Sequence, residues 1–249
     1  MNEREFKKFL GRKPSKFFRN GQVEELDTSN LSEEVDWRTK GAINPVQNQG
    51  MCGSCWAFSA IGSIESSHFI QKGELLKLSE QQLVDCSGDQ GNKGCDGGLE
   101  IWAFDYAKGT ALELESDYPY TADEDLPECK AVTDKEKIKV DSYAIVPPKS
   151  VDQLKAAIDK QPTSVAVEAE GAFFRFYTGG IMDSAHCGTK LDHAVIAIGY
   201  GSADGTDYFI VRNSWGPKWG EQGYIRMAIE GDGAGTCGIL LQSSRVTSE

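Results

Sequence analysis

Positions Trp56, Ala60, Ile61, Ile64, His68 and Phe69 recur at three- and four-residue steps and predict a helix from Trp56 to Ile70. Ser79-Glu80-Gln81-Gln82 has the form of a capping box and predicts a short helix after it. Leu99 to Lys108 alternates at helical spacing and stops at Gly109, a candidate C-cap. Ser150-Val151-Asp152-Gln153 caps a further helix that Gln161-Pro162 ends. From about Gly41 to Tyr143 the patterns are thus helical, and after about Ala144 the strand signal rises. Runs rich in Val, Ile, Tyr and Phe at Ser164–Glu168, His193–Tyr200, Tyr208–Arg212 and Tyr224–Ala228 are separated by Gly loops. A helical half followed by a strand half predicts an α+β fold of two lobes. Residues 1–30 are polar and basic, with no sustained amphipathic pattern beyond Phe6–Leu10, and no internal repeat or low-complexity tract is present.

Composition narrows this picture. At 249 residues the chain is long enough for a substantial core. No apolar run approaches the ~18 residues that a membrane span needs. The net charge of −12 argues against nucleic acid, whose phosphates demand a basic surface. Residues 1–30 carry seven Lys or Arg against five acids, a local +2 that leaves −14 for the remainder. A basic strand beside an acidic body can be held partly by charge and loosened as carboxylates protonate; a solvated face is the plainer reading.

The strongest chemical signal is Gln49-Gly50-Met51-Cys52-Gly53-Ser54-Cys55-Trp56. It sets Cys55 after a Gly-rich turn, at the start of the predicted helix, with Ser54 placed to cap it. The positive end of a helix dipole favours thiolate, the nucleophilic form. Cys52-Gly53-Ser54-Cys55 is also a C-x-x-C, but its thioredoxin-like reading wants a preceding strand, and Asn44 to Gly50 reads as loop. Zinc held by Cys52, Cys55, Cys86 and Cys95 is a further option, poorly spaced between Cys86 and Cys95. No metal or cofactor is expected. Seven cysteines are an odd number; with Cys55 free, six remain for three bridges, which sequence alone can pair in 15 ways. Three bridges imply an oxidising compartment. The stretch after Met1 has no apolar signal core, so a truncated precursor is expected.

The run satisfies C-G-[SA]-C-[WY], the signature by which the nucleophile of papain and cathepsin peptidases is recognised, with His and Asn far downstream. Those partners stand in Leu191-Asp192-His193-Ala194-Val195 and Asn213-Ser214-Trp215-Gly216. With Val35-Asp36-Trp37-Arg38, Leu78 to Cys86, Gly94-Cys95-Asp96-Gly97-Gly98 and Tyr118-Pro119-Tyr120, the chain from about Leu31 onward resembles the papain family of cysteine peptidases. The resemblance implies a cleft between a helical lobe at about 41–143 and a β-rich lobe at about 144–249 that includes 31–40. It implies bridges Cys52–Cys95, Cys86–Cys129 and Cys187–Cys237. It also implies that residues 1–30 are the end of a pro-segment running through the cleft opposite to substrate; a disordered extension is the alternative.

By the same resemblance, Cys55 attacks, His193 takes its proton to form a thiolate–imidazolium pair, and Asn213 orients the imidazole under the shield of Trp215. Gln49 and the Cys55 backbone N–H would stabilise the oxyanion. Gly97 and Gly98 offer bare backbone to an extended peptide. Leu99, Glu100, Ala166, Leu191, Ala194 and Gln242 would line the pocket for the residue two before the cut. Its aliphatic walls imply Leu, Val or Phe, while Glu100 and Gln242 are departures toward polarity that let a basic side chain in. Asp192 would tune the local field beside His193, and Glu65 and Glu80 would be buried structural carboxylates. His68 and His186 read as structural or surface residues.

With neither a long insertion nor a histidine between Gly98 and Tyr118, an endopeptidase is expected. Expected partners are peptide substrates, the chain's own pro-segment and cystatin-like inhibitors, on a monomer. A lysosome-like vacuole or secretion is the expected location. Asn30-Leu31-Ser32 is a glycosylation sequon at the processing junction.

Overall fold

The computed structural model describes residues 3–13, 22–122, 128–132, 134 and 138–247. The described helices are α1 (Glu3–Phe6), α2 (Cys55–Lys72), α3 (Glu80–Cys86), α4 (Glu100–Gly109), α5 (Val151–Lys160) and α6 (Ala172–Arg175). The strands are β1 (Val35–Asp36), β2 (Ser142–Ile145), β3 (Thr163–Val167), β4 (Ile181–Met182), β5 (His193–Ala203), β6 (Thr206–Arg212), β7 (Tyr224–Ala228) and β8 (Ser243–Thr247). They form one sheet in the order β2-β8-β3-β5-β6-β7-β4, with β1 added to β5. All pairs are antiparallel except β4 with β7. β3 covers the first half of β5, from His193 to Ala197, and β1 pairs with Gly199 and Tyr200 beyond it.

Two main apolar cores result. One gathers Trp56, Ile61, Ile64, Leu83, Phe104 and Leu112 around α2, α3 and α4. The other gathers Trp37, Val165, Val167, Phe174, Phe209, Val211 and Met227 on the sheet. Helices fill the first and strands the second, which is the two-lobe α+β architecture.

The helix from Trp56 to Ile70 is present, extended to Cys55–Lys72, but it is not amphipathic along its length. Every residue from Cys55 to Ser67 is buried. The reason is position: α2 packs against α3 and α4 on one side and β3, β5 and β8 on the other. A helix hydrophobic or small all round belongs inside. Gly73 ends it in the left-handed conformation, where glycine carries no Cβ penalty.

Only half of the Ser79 capping box forms. Ser79 Oγ accepts from Gln82 N, but the Gln82 side chain turns to Glu113 N and Ala111 O instead of returning to Ser79. Tertiary partners in a neighbouring loop outcompete the local bond. Ser150 likewise accepts from Gln153 N, while the Gln153 amide bonds both backbone groups of Leu26.

Those bonds show how the N-terminal residues dock. Residues 22–26 run beside β2, with Ile145 N donating to Gln22 O and Glu24 N to Ile145 O. Leu26 is buried against Val146, Ala156 and Ala157, and Glu24 pairs with Arg245 at 2.6 Å. Phe6 is buried too, edge-on to Trp215.

The structure joins Cys52 to Cys95, Cys86 to Cys129 and Cys187 to Cys237, and leaves Cys55 free. Glu65 and Glu80 are both buried, and Lys77 Nζ reaches each, at 3.2 and 2.7 Å. Burial pushes the Glu80 carboxyl up despite that cation.

Replacing Lys77 with Met would leave two buried carboxylates without their cation and should cost about 3–5 kcal/mol in urea unfolding at neutral pH. The folded state takes up the Glu80 proton more readily than the unfolded chain, because its folded pKa is raised. The penalty should therefore shrink as the measurement moves from about pH 8 to about pH 5. An equal penalty at both would contradict the burial argument.

Candidate active site

Cys55 is the first residue of α2, and the turn before it is clamped. Cys52 is bridged to Cys95, and Gly53 N donates to Cys95 O at 2.9 Å. That bridge leaves no Cys52–Cys55 pair for disulfide exchange. Ser54 stands at the N-cap position but makes no side-chain cap; its hydroxyl donates to Tyr120 Oη at 2.6 Å, and Tyr120 donates in turn to Gln49 O. The expected cap is thus replaced by a tie between the turn and the loop at Tyr120, which leaves the helix N-terminus open toward the sulfur.

His193 is the first residue of β5, opposite Val167. Its ring is fully buried and its Nε2 lies 2.8 Å from Asn213 Oδ1. Asn213 Oδ1 also accepts from Ser214 N at 2.8 Å, which fixes the amide's orientation. The imidazole proton therefore sits on Nε2, and the lone pair on Nδ1. Nδ1 has no hydrogen-bond partner among the described residues. The Cys55 thiol lies against the backbone amide of Ala194, the residue that follows His193. Trp215 stands 4.7 Å from the imidazole at 31°, with Phe174 edge-on to both rings, so the His193–Asn213 bond is kept from water.

Gln49 is buried, and its Oε1 accepts from Ser214 Oγ at 2.7 Å. This holds Nε2 toward Cys52 O and Phe9 O, at 2.8 and 3.0 Å. Ser214 was not among the expected site residues; its place in Asn213-Ser214-Trp215-Gly216 was the one available signal.

The cleft is filled by the chain's own residues 9–13. Gly11 crosses Gly53 so closely that a Cβ on Gly11 would overlap the Gly53 carbonyl. Gly98 N donates to Gly11 O at 2.8 Å, and Lys13 N to Gly98 O at 3.1 Å, in a parallel bridge. Gly97 lies directly under this strand, where a Cβ would meet Gly11 O. Arg12 N donates to Asp192 O from the opposite wall. Asp192 Oδ1 accepts from Ala169 N, and burial raises its carboxyl to about 6.

The Arg12 side chain turns inward, fully buried, onto Glu100 Oε1 at 3.2 Å and onto the Gln242 side chain. Ala166 and Ala194 face each other across β3 and β5, and Ala166 N donates to Gln242 O. Leu99 is buried beside Ile101 and Ile145, and Leu191 abuts Gly238. His186, paired with Asp183, is exposed, and His68 lies on α2 away from the site.

This cover changes the electrostatics. Burial pushes the Cys55 thiol up to about 11, against the opposing N–H groups of Ala194 and Gly11. Burial pulls His193 down to about 4, against the Asn213 bond. Both shifts favour the neutral thiol and imidazole over the expected thiolate–imidazolium pair while the cleft is covered. Without water, two separated charges cost more than a neutral thiol and imidazole.

Comparison with known proteins agrees with this geometry. The profile described as "Papain family cysteine protease" matches residues 31–247. "Germination-specific cysteine protease 1" of Arabidopsis thaliana is 50% identical over 218 residues, covering 86% of this chain and 57% of its own length. The chain spans about half the length of the curated plant relatives it matches. A solved bromelain protease from Ananas comosus, in complex with the E64 inhibitor, superposes with a TM-score of 0.81 at 42% identity, over 88% of this chain and 100% of that one. A recombinant stem bromelain precursor superposes with a TM-score of 0.89 at 40% identity, over 100% of this chain and 80% of that one. The chain belongs to the papain family of cysteine proteases.

Proposed function

We propose that the protein is a cysteine endopeptidase held in precursor form, with residues 1–30 the end of a pro-segment and residues 31–249 the peptidase domain. The observation that carries this is the oriented imidazole: Nε2 is committed to Asn213 and Nδ1 has no partner among the described residues, while the Cys55 thiol lies against the amide of the next residue, Ala194. Once the cleft is open to water and substrate, Nδ1 takes the thiol proton and the sulfur attacks the peptide carbonyl carbon. The carbonyl π pair moves onto oxygen, where Gln49 Nε2 and the Cys55 N–H donate to it. Collapse breaks the C–N bond, the amine leaves with the proton from His193, and a thioester remains. Water, deprotonated by the same imidazole, then releases the acid and regenerates the thiol. In the covered chain, the Phe9 carbonyl already takes the Gln49 donor.

The buried aliphatic residues Leu99, Ala166 and Ala194 support acceptance of a hydrophobic side chain two before the cut. Residues 9–13 supply backbone to both walls of the cleft, which supports the pro-segment reading over a free extension. Three disulfides support a vacuolar, lysosomal or secreted location. Asn30 is exposed, as a glycan acceptor must be. Peptide substrates, the pro-segment and cystatin-like inhibitors are the proposed partners of a monomer.

After removal of residues 1–30, hydrolysis of a fluorogenic peptide with Leu or Phe two before the cut should require reductant, be blocked by E64 and vanish in Cys55→Ser. Gln49→Ala should lower kcat about 100–1,000-fold. Persistent hydrolysis in Cys55→Ser would refute the nucleophile assignment.

A second test uses the intact chain. Iodoacetamide should label Cys55 slowly through about pH 9 and faster only as pH nears the raised thiol pKa of about 11. Removing residues 1–30 should bring rapid labelling at neutral pH. Equal rates with and without those residues would show that the cover does not suppress the thiolate.

A further inference from the structure

The pocket entered by Arg12 contains a charge that an apolar side chain would not answer. Glu100 is fully buried at the start of α4. One of its oxygens meets Arg12 at 3.2 Å; the other, Oε2, is buried without a hydrogen-bond partner among the described residues. Gln242 supplies a second acceptor to the same guanidinium. When residues 1–30 leave, this carboxylate stays in its recess, and whatever enters next must either pair with it or leave it desolvated and alone. The second is costly.

From this geometry we infer that the pocket selects a guanidinium side chain two residues before the cut, with Glu100 as the residue that determines the preference and Gln242 as its auxiliary acceptor. The inference rests on the peptidase reading given above. Arginine suits the pocket in both its parts. Its methylene stem can lie along the aliphatic walls that also accept Leu, and its planar head presents paired N–H donors to a carboxylate.

The direction of the chain does not forbid the extrapolation from Arg12 to a substrate. Gly98 N–H and C=O bond here to Gly11 and Lys13, the residues on either side of Arg12. A strand of opposite direction would offer the N–H and C=O of its own central residue to the same glycine. In both cases the side chain of the central residue is the one directed at the pocket beside Gly98. A second positive residue is also drawn to an acidic body, since residues 31–249 carry a net charge of −14.

The test compares two fluorogenic peptides that differ only in Arg or Leu two before the cut, on protein freed of residues 1–30. Each preparation is titrated with E64 so that rates refer to competent sites, and the readout is the Arg:Leu ratio of kcat/KM. The wild type should cleave the Arg peptide at least as well as the Leu peptide. Glu100→Gln should lower the ratio about 30-fold or more, the scale expected when a buried charge loses its partner. Gln242→Ala should lower it less. Gln242→Glu should raise it, a gain that misfolding does not produce. A wild type that titrates with E64 and cleaves the Leu peptide but not the Arg peptide overturns this inference and leaves the peptidase reading standing. So does an unchanged ratio in Glu100→Gln. A wild type that neither titrates nor cleaves either peptide overturns both.

Discussion

The packing of α2 against β5 is the contact on which the rest of the molecule depends. Neither element could carry the chemistry alone: Cys55 opens the helix, His193 opens the strand, and only their crossing puts the thiol on the amide of Ala194. The crossing is tight. Ser59 Oγ on α2 donates to Val195 O on β5 at 2.7 Å, and a Cβ on Gly62 would collide with the end of Ile196. Small residues on one face of α2 therefore let the helix approach the sheet, and the two cores meet along this seam. Because protein interiors are close-packed, a shift of the seam would be felt directly in the distance between Cys55 and His193.

Desolvation is the second organising effect, and it acts in two directions. The aromatic wall of Trp215, Phe174 and Trp219 keeps the His193–Asn213 bond dry, which fixes the tautomer that a general base needs. The segment from Phe9 to Lys13 extends the same dryness over the sulfur, and burial there pushes the thiol up and the imidazole down, the direction that disfavours charge separation. Phe9 O occupies the Gln49 donor, and Gly11 and Lys13 occupy the backbone groups of Gly98. On the proposed reading, blocking and protecting the site are one physical event, the exclusion of water from the cleft.

Charge holds this cover unevenly. Lys7 with Glu170 and Arg245 with Glu24 are partly exposed pairs of small worth, whereas Arg12 with Glu100 is fully buried. The buried pair is better suited to fix where the segment sits than to add net stability.

What the sequence determined by itself was the family and the order of the main elements. Cys55 after Cys52-Gly53-Ser54, with His193 and Asn213 far downstream, is legible as the proposed site because covalent catalysis of that kind needs those side chains whatever surrounds them. The main helices and the central strands were legible because apolar periodicity reflects which face is buried. Strand β1, the edge strands β2 and β4 and the inner strand β8 were not, because short segments owe their state to a partner strand and not to their own composition. The cap at Ser54 and the return half of the Ser79 box failed for a related reason: Tyr120 and Glu113, distant in sequence, supplied better bonds than the local ones. The ionisation of Cys55 and His193 was decided only by tertiary structure. A helix N-terminus and an adjacent imidazole favour charge, but whether charge forms depends on water, and the exclusion of water is a property of the assembled cleft with residues 9–13 lying in it.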